Sequence, residues 1–381
     1  MPKKKLVKDT ASNAITLNTI VFKDMVARAR KGASNNSILP ITSMMAIELK
    51  DNKLTLITTD NTNYLYVIQD KVEGNDFYVT VIADTFAQLI AKTTSENITL
   101  ELKDNFLEVV GNGKYSIELP TEEGNIIKFP DPRDEEELDP LEDIKLSDVN
   151  HIIKSAKASL AVTMENPVYT NYYCGESVLA TNEYKICNVD VQLWEEPRLI
   201  SPQLMDLVAL ITAEDIAVSA KDDIIMFSTP TCQVYGRTTT GVEDFPADSI
   251  KSAVQANFLA SCQLKKQEML QLLDRISLFV SGTDDNEVYI TFTKEGLQLS
   301  SKASSGIETV KYISSTDFKE FTGVIDIKML IDQLKALEDE DVVIGYMNEG
   351  EDEDTSNTAI KFTEGNVDLL VALLDDDRLG E

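Results

Sequence analysis

Lysine and arginine side chains set beside apolar helical stripes are the groups in this chain with the plainest chemistry, since a row of such cations can hold a polyanion. Six segments with apolar residues at helical spacing contain Lys23, Arg28, Arg30, Lys31, Lys92, Lys145, Lys154, Lys157, Lys265, Lys266, Arg275, Lys328 and Lys335, thirteen bases against eight acids. The whole chain has 381 residues and a net charge of −30. Any amphipathic helix carries charge on its outer side, so one such segment means little. An excess of bases on the helical segments taken together, in a chain this acidic, points to a polyanion facing the helices.

Other chemistries lack their parts. There is one histidine, His151, and neither a GxxxxGK phosphate loop nor a GxSxG elbow, which removes most nucleotide-dependent and hydrolytic mechanisms. Cys174, Cys187, Cys232 and Cys262 stand far apart, without the paired spacing of a zinc site, and read as buried free thiols. The acidic stretches PDPRDEEELDPLED at 130–143, EGEDED at 349–354 and the terminal DDDRLGE lack the glycine and alternating oxygens of a calcium loop and read as solvated loops. A carboxylate-metal nuclease would need converging acids, and these lie mainly in loops. The expectation is a non-catalytic protein without metal or cofactor. No apolar run reaches the roughly 18 residues that span a bilayer, and MPKKKLVKDT has no apolar core behind its charge. A soluble, cytoplasmic chain with no membrane partner is expected.

The segments that must position the bases are 17–33, 82–93, 145–162, 202–212, 263–280 and 326–337. Between them short strands follow one another through tight turns, near 44–50, 53–59, 63–69, 97–103, 106–111 and 114–119, then 177–181, 185–193, 215–220, 223–228 and 231–238, then 341–347, 358–363 and 367–373. Runs of strands broken by single helices argue for antiparallel sheets backed by helices, an α+β fold, and against a parallel βαβ arrangement. Three echoes, LKDNKLTLITTDN from Leu49, CGESVLATNEYK from Cys174 and FTKEGLQLSSKAS from Phe292, recur about every 120 residues. One unit of two helices and two sheets is therefore expected three times, in domains at 1–130, 144–252 and 253–381 with an acidic linker over 131–143, giving six helices.

The order of these pieces resembles the bacterial sliding clamp, the beta subunit family of DNA polymerase III that serves as processivity factor. The likeness lies in LPITSMMAIELKDNKLTLITTDN at 39–61, VLATNEYKICNV at 178–189 and DFPADSI at 244–250, and it covers nearly the whole chain in order and length. The resemblance implies a DNA clamp fold: two head-to-tail copies in a ring, with twelve helices lining a channel around duplex DNA. Such a ring needs no base contact, because phosphates carry no sequence information. Lys23, Arg28, Arg30, Lys31, Lys92, Lys154, Lys157, Lys265, Lys266, Arg275, Lys328 and Lys335 would then face DNA. Edge strands within 103–118 and 297–312 would join the copies.

The resemblance also implies protein partners, the replicative DNA polymerase and the clamp loader, whose short peptide tails would enter a pocket between the second and third domains. By position the pocket is Tyr169, Thr181, Lys185, Ile186, Pro246, Val371, Ala372 and Leu373, with Phe245 ahead of the proline. Tyr169 stands where the family has leucine, Glu183 where it has glycine, and the chain runs past Arg378-Leu379, departures that fit a divergent member such as a phage-encoded one. Two readings compete. Ile186, Val371 and Leu373 suit an ordinary core equally well. A DNA-mimicking acidic decoy or scaffold for DNA-binding proteins suits the charge of −30 but not the bases on the helices.

Overall fold

The computed structural model describes residues 14–34, 38–132, 137–163, 165–280, 286–301, 306–348 and 359–375. The acidic run at 349–354, residues 133–136 of the linker and Arg378-Leu379 lie outside the described residues. All strand pairs among them are antiparallel, so the α+β expectation holds.

Seven α-helices occur among the described residues: α1 (Thr19–Arg30), α2 (Ala83–Lys92), α3 (Leu146–Ala156), α4 (Pro202–Val208), α5 (Ala247–Gln255), α6 (Lys266–Ser277) and α7 (Ile327–Ala336). The sequence pattern gives six and misses α5. That helix buries only Ile250 and Val254, too little to make a period, and it follows directly on Pro246, a residue that suits the approach to a helix as well as a break. Five helices begin at the residue after a strand: α1 after Ala14–Asn18, α2 after Phe77–Ile82, α3 after Ile144–Lys145, α6 after Phe258–Lys265 and α7 after Phe321–Asp326. Two of these junctions are capped. Asn18 accepts from the Ile20 and Val21 amides at 3.0 and 3.2 Å, and Asp326 from those of Lys328 and Met329 at 2.7 and 3.0 Å.

The chain groups into two compact units, one of Met1–Leu146 with Gln203–Thr238 and one of Ser147–Pro202 with Thr239–Glu381. In the first, a nine-stranded sheet joins Tyr64–Asp70 to Cys232–Arg237, with Tyr64 opposite Tyr235 and Val67 opposite Cys232. Helix α1 lays Phe22, Met25, Val26 and Ala29 inward. Phe22 meets Phe86 of α2 edge-on at 6.1 Å, and each such buried ring is worth about 1.5–3 kcal/mol. The Thr58 hydroxyl donates to the Ala29 carbonyl at 2.6 Å and ties the helix to strand Lys53–Thr59. The other side of the sheet is covered by 127–131: Thr80 Oγ1 donates to the Ile127 carbonyl at 2.6 Å and the Phe129 amide to the Tyr78 hydroxyl at 3.0 Å. The linker read as solvated is thus docked in part. Asp139–Pro140 pairs with Ala220 and Ser219 through backbone groups, which is indifferent to the acidic side chains around it. A four-stranded sheet runs in the order Ala14–Asn18, Asn97–Lys103, Phe106–Val110, Lys114–Glu118.

In the second unit, another nine-stranded sheet joins Lys185–Val189 to Val367–Ala372, with Ile186 opposite Leu370. Its four-stranded sheet runs Ile307–Val310, Leu297–Ser301, Glu287–Phe292, Phe321–Asp326. Helix α7 is tied to the turn after α3 by Gln333 Nε2, which donates to Ser159 Oγ at 2.7 Å. Where the sequence continues that helix to 162, the α-helix ends at Ala156 and a 3-10 turn, Lys157–Ser159, presents this hydroxyl.

All four cysteines are free and buried. Burial pushes the Cys232 thiol up to about 11 and Cys262 to about 12, and raises Cys174 and Cys187 as well. Thiolate, the reactive form, is therefore scarce in the native state. A disulfide-exchange reagent at pH 8 is expected to label all four only at the rate of unfolding, read as absorbance with and without urea.

Candidate DNA-facing helices, partner groove and closing edges

The twelve candidate bases fall into distinct environments. Arg28 is largely inside: its side chain is 17% exposed, bonded to Asp24 at 2.9 Å, with one terminal nitrogen buried and unpartnered. Arg30 is bonded to Asp84 of α2 and to the Ala33 carbonyl. Lys154 pairs with Glu338, Lys265 with Asp341 and Arg275 with Glu308, while Lys266 Nζ donates to the Leu337 carbonyl at 2.9 Å. Hydrogen bonds from Arg275 and from Lys154 hold the Glu308 and Glu338 carboxyls below their usual range. Lys157 is exposed at the start of the 3-10 turn. Lys31, Lys92, Lys328 and Lys335 are exposed and make no ion pair among the described residues, and Lys23 is half-buried and likewise unpaired. These last five are the uncompensated cations, three in the first unit and two on α7 in the second.

The first two echoes are one turn built twice. Thr59 Oγ1 donates to the Asn63 carbonyl at 2.7 Å and accepts from the Asn61 amide at 2.9 Å; Thr181 Oγ1 donates to the Lys185 carbonyl at 2.9 Å and accepts from the Glu183 amide at 3.0 Å. Asp60 and Asn182 each accept from the two amides that close the loop. The third echo reaches Ser301, whose amide donates to the Gly306 carbonyl at 3.0 Å, and 302–305 lie outside the described residues. The turn puts Asn61 and Glu183 at φ 86° and 78°. Asparagine tolerates this left-handed backbone, while glutamate loses about 1–2 kcal/mol to it. Glycine would recover that less about 0.5–1 kcal/mol of chain entropy. Glu183→Gly is therefore expected to stabilise the second unit by about 0.5–1 kcal/mol, measured as a higher urea midpoint.

Around Phe245 the second unit gathers an apolar cluster of Val168, Leu179, Leu199, Ile250, Val254 and Leu370, with Tyr169, Tyr173 and Ile186 half-buried at its margin. Phe245 is 5% exposed, Tyr173 stacks on it at 4.9 Å and Tyr169 meets it edge-on at 6.1 Å. Of the pocket residues chosen from sequence, Tyr169 and Ile186 are here, Pro246 follows Phe245 into α5, and Ala372 pairs with the cluster's Ala359. Thr181 closes the turn described above. Lys185 and its ladder partner Val371 alternate to the opposite face of the sheet, where Lys185 Nζ lies 3.3 Å from Asp332 of α7. Leu373 sits against Gly323 of the four-stranded sheet. Sequence reasoning passed over Tyr173 and Leu370. The period of VDLLVA could have found Leu370, because register decides which of adjacent leucines faces the Phe245 cluster.

Among the described residues, each four-stranded sheet has a free edge with exposed apolar side chains near it. At Lys114–Glu118 these are Phe106, Val110 and Tyr115; at Ile307–Val310 they are Leu278, Phe279 and Ile307, with Leu278 73% and Ile307 67% exposed. Both edges fall within the segments expected to join copies. Unpaired strand edges of this kind template pairing with another chain.

Residues 14–126 match the family model described as DNA polymerase III beta subunit, N-terminal domain. The DNA polymerase III beta chain of Streptococcus pneumoniae is similar over 95% of this chain and 100% of its own, with a TM-score of 0.80 and 15% identity. The DNA polymerase sliding clamp of Bacillus subtilis covers 96% of this chain and 100% of its own (TM-score 0.78, 14% identity), and the Thermotoga maritima beta subunit 95% and 99% (TM-score 0.80, 16% identity). The chain has the sliding-clamp fold. No curated protein matches it in sequence.

In this clamp fold the family match ends at residue 126, next to the segment that covers the first unit's sheet. Among the described residues no helix is long and apolar enough to cross a membrane, and no group of three or more His, Cys, Asp or Glu side chains is placed to hold a metal ion.

Proposed function

We propose that this chain is a DNA sliding clamp, a non-catalytic processivity factor that encircles duplex DNA and tethers a replicative polymerase. The observation that carries the reading is the sliding-clamp fold running through 95% of the chain at a TM-score of 0.80. Two copies, each with domains at 1–130, 144–252 and 253–381 and a linker at 131–143, close head to tail by pairing edge Lys114–Glu118 of one with edge Ile307–Val310 of the other. The ring holds DNA by topology, so the helices need only a few uncompensated cations facing the phosphates. Many tight phosphate bonds would brake sliding, and a net charge of −30 repels DNA from the outside. Polymerase and clamp loader tails dock on the groove around Phe245. The protein acts in the cytoplasm, the host's if it is phage-encoded.

A loader-free test is threading. The protein is incubated with linear duplex biotinylated at both ends, the ends are blocked with streptavidin, and the complex is washed in high salt. Retention only on end-blocked DNA is expected; equal loss from blocked and open DNA contradicts the reading. Replacing Lys31, Lys92, Lys328 and Lys335 with glutamate is expected to cut the threaded yield by about tenfold through lost steering, while the melting temperature stays put because exposed charges contribute within about 0.5 kcal/mol each.

A further inference from the structure

The first unit holds a cavity of about 610 Å³ on the side of its nine-stranded sheet that 127–131 covers. Thr55, Ile57, Tyr66 and Phe129 in its wall are buried, and Tyr78 is half-buried. Lys50, Lys53 and Lys128, which also line it, are exposed, so the cavity reaches solvent among them. The hairpin sets two of these lysines face to face. Asp51 and Asn52 turn it with φ of 52° and 59°, the conformation of a two-residue turn, and Lys50 is thereby paired with Lys53 across the ladder. Like charges directly opposite each other destabilise a strand pair. Lys53 has only a long contact to relieve it, Asp70 at 3.7 Å, and Lys50 and Lys128 make no ion pair among the described residues. In a chain of 65 acids and 35 bases this is a local electrostatic cost that a bound anion removes.

The acids of the same cavity narrow the choice of anion. Asp131 accepts from the Tyr66 hydroxyl at 3.1 Å, and Asp51 is exposed in the turn. Glu48 is half-buried and has neither a hydrogen bond nor an ion pair among the described residues. A bare anion would suit the lysines and be repelled by Glu48. We propose that the cavity binds a nucleotide, with its phosphates at Lys50, Lys53 and Lys128, its base along Tyr78, and an N–H or O–H of the base or sugar donating to Glu48. Lysine holds phosphate as a point charge, aromatic side chains stack on any base, and a half-buried carboxylate gains by receiving a donor. The volume is within the roughly 300–1,000 Å³ of small-molecule sites. None of these residues belongs to the closing edges or the Phe245 cluster, so the inference stands or falls apart from the ring.

Isothermal titration calorimetry of the full chain tests it with dATP, deoxyadenosine and tripolyphosphate, each in low salt with EDTA. Binding of dATP at least about tenfold tighter than either half is expected. The double variant Lys50→Glu/Lys128→Glu is expected to weaken dATP by about a hundredfold, tenfold for each lost charge-assisted contact. Both lysines are exposed, so its urea midpoint stays close to that of the parent chain. Glu48→Gln is expected to weaken dATP and strengthen tripolyphosphate, because it loses a strong acceptor for one and a repelling charge for the other. No binding of dATP, or equal binding by the parent chain and the lysine variant, overturns the site. Tripolyphosphate as tight as dATP, or Glu48→Gln moving both ligands in the same direction, overturns the nucleotide.

Discussion

Ile307→Glu is expected to convert a dimeric ring into monomers at micromolar concentration. Ile307 is 67% exposed on the outermost strand of its sheet, beside Leu278 and Phe279, and the free chain loses little by the change. Burying a carboxylate in an apolar contact costs at least about 2 kcal/mol, the scale of an interface hot spot. A head-to-tail ring of two copies has two identical interfaces, so the cost is counted twice and the dimer dissociation constant rises by about a thousandfold. Sedimentation velocity reads this directly. Ile20→Glu is the control: Ile20 is 80% exposed but stands on α1, and its dimer is expected to persist. Loss of the dimer in both variants, or in neither, would break the assignment of the closing edges.

Phe245→Ala is expected to be the most damaging single change in the second unit. The ring is almost wholly buried between Tyr173 and Tyr169 and carries the contact between α5 and strands Val178–Thr181 and Val367–Ala372. Truncating such a phenylalanine costs about 3–5 kcal/mol, from lost transfer energy and the cavity left behind. Urea unfolding should show the midpoint fall without a change in slope. Phe245→Leu, which keeps much of the volume, is expected to cost less than half of that. A cost below about 1 kcal/mol for the alanine variant would mean that the cluster collapses freely and does not hold α5 in place.

Much of this architecture is legible in the sequence, for reasons that differ by element. Strands such as Lys53–Thr59 and Asn97–Lys103 are bounded by turn residues on both sides, and these fix their ends. The echo containing Thr59 and Thr181 is legible because a hydroxyl that closes a turn is a chemical requirement on one residue, repeated wherever the turn is. Helix α5 is not legible, since nine residues with one apolar pair have no period to read. The strands Ala14–Asn18 and Phe77–Ile82 are not legible either, because each flows into a helix without a break, so the helical pattern absorbs its last residues. Site residues are harder than elements. Arg28 reads as an outward charge, yet its guanidinium folds back onto Asp24 and the interior, a choice made by side-chain torsions that no spacing encodes. Lys185 likewise reads as pocket lining, whereas its ladder position turns it toward Asp332.

The central claim is a closed ring, and single-particle electron microscopy of the purified chain tests it most directly, at a concentration that holds a weak dimer together. Particles with six similar lobes around an open channel wide enough for duplex DNA are the predicted result. Compact particles without a hole at every concentration would contradict the clamp and favour an acidic protein that binds DNA-binding partners by its charge.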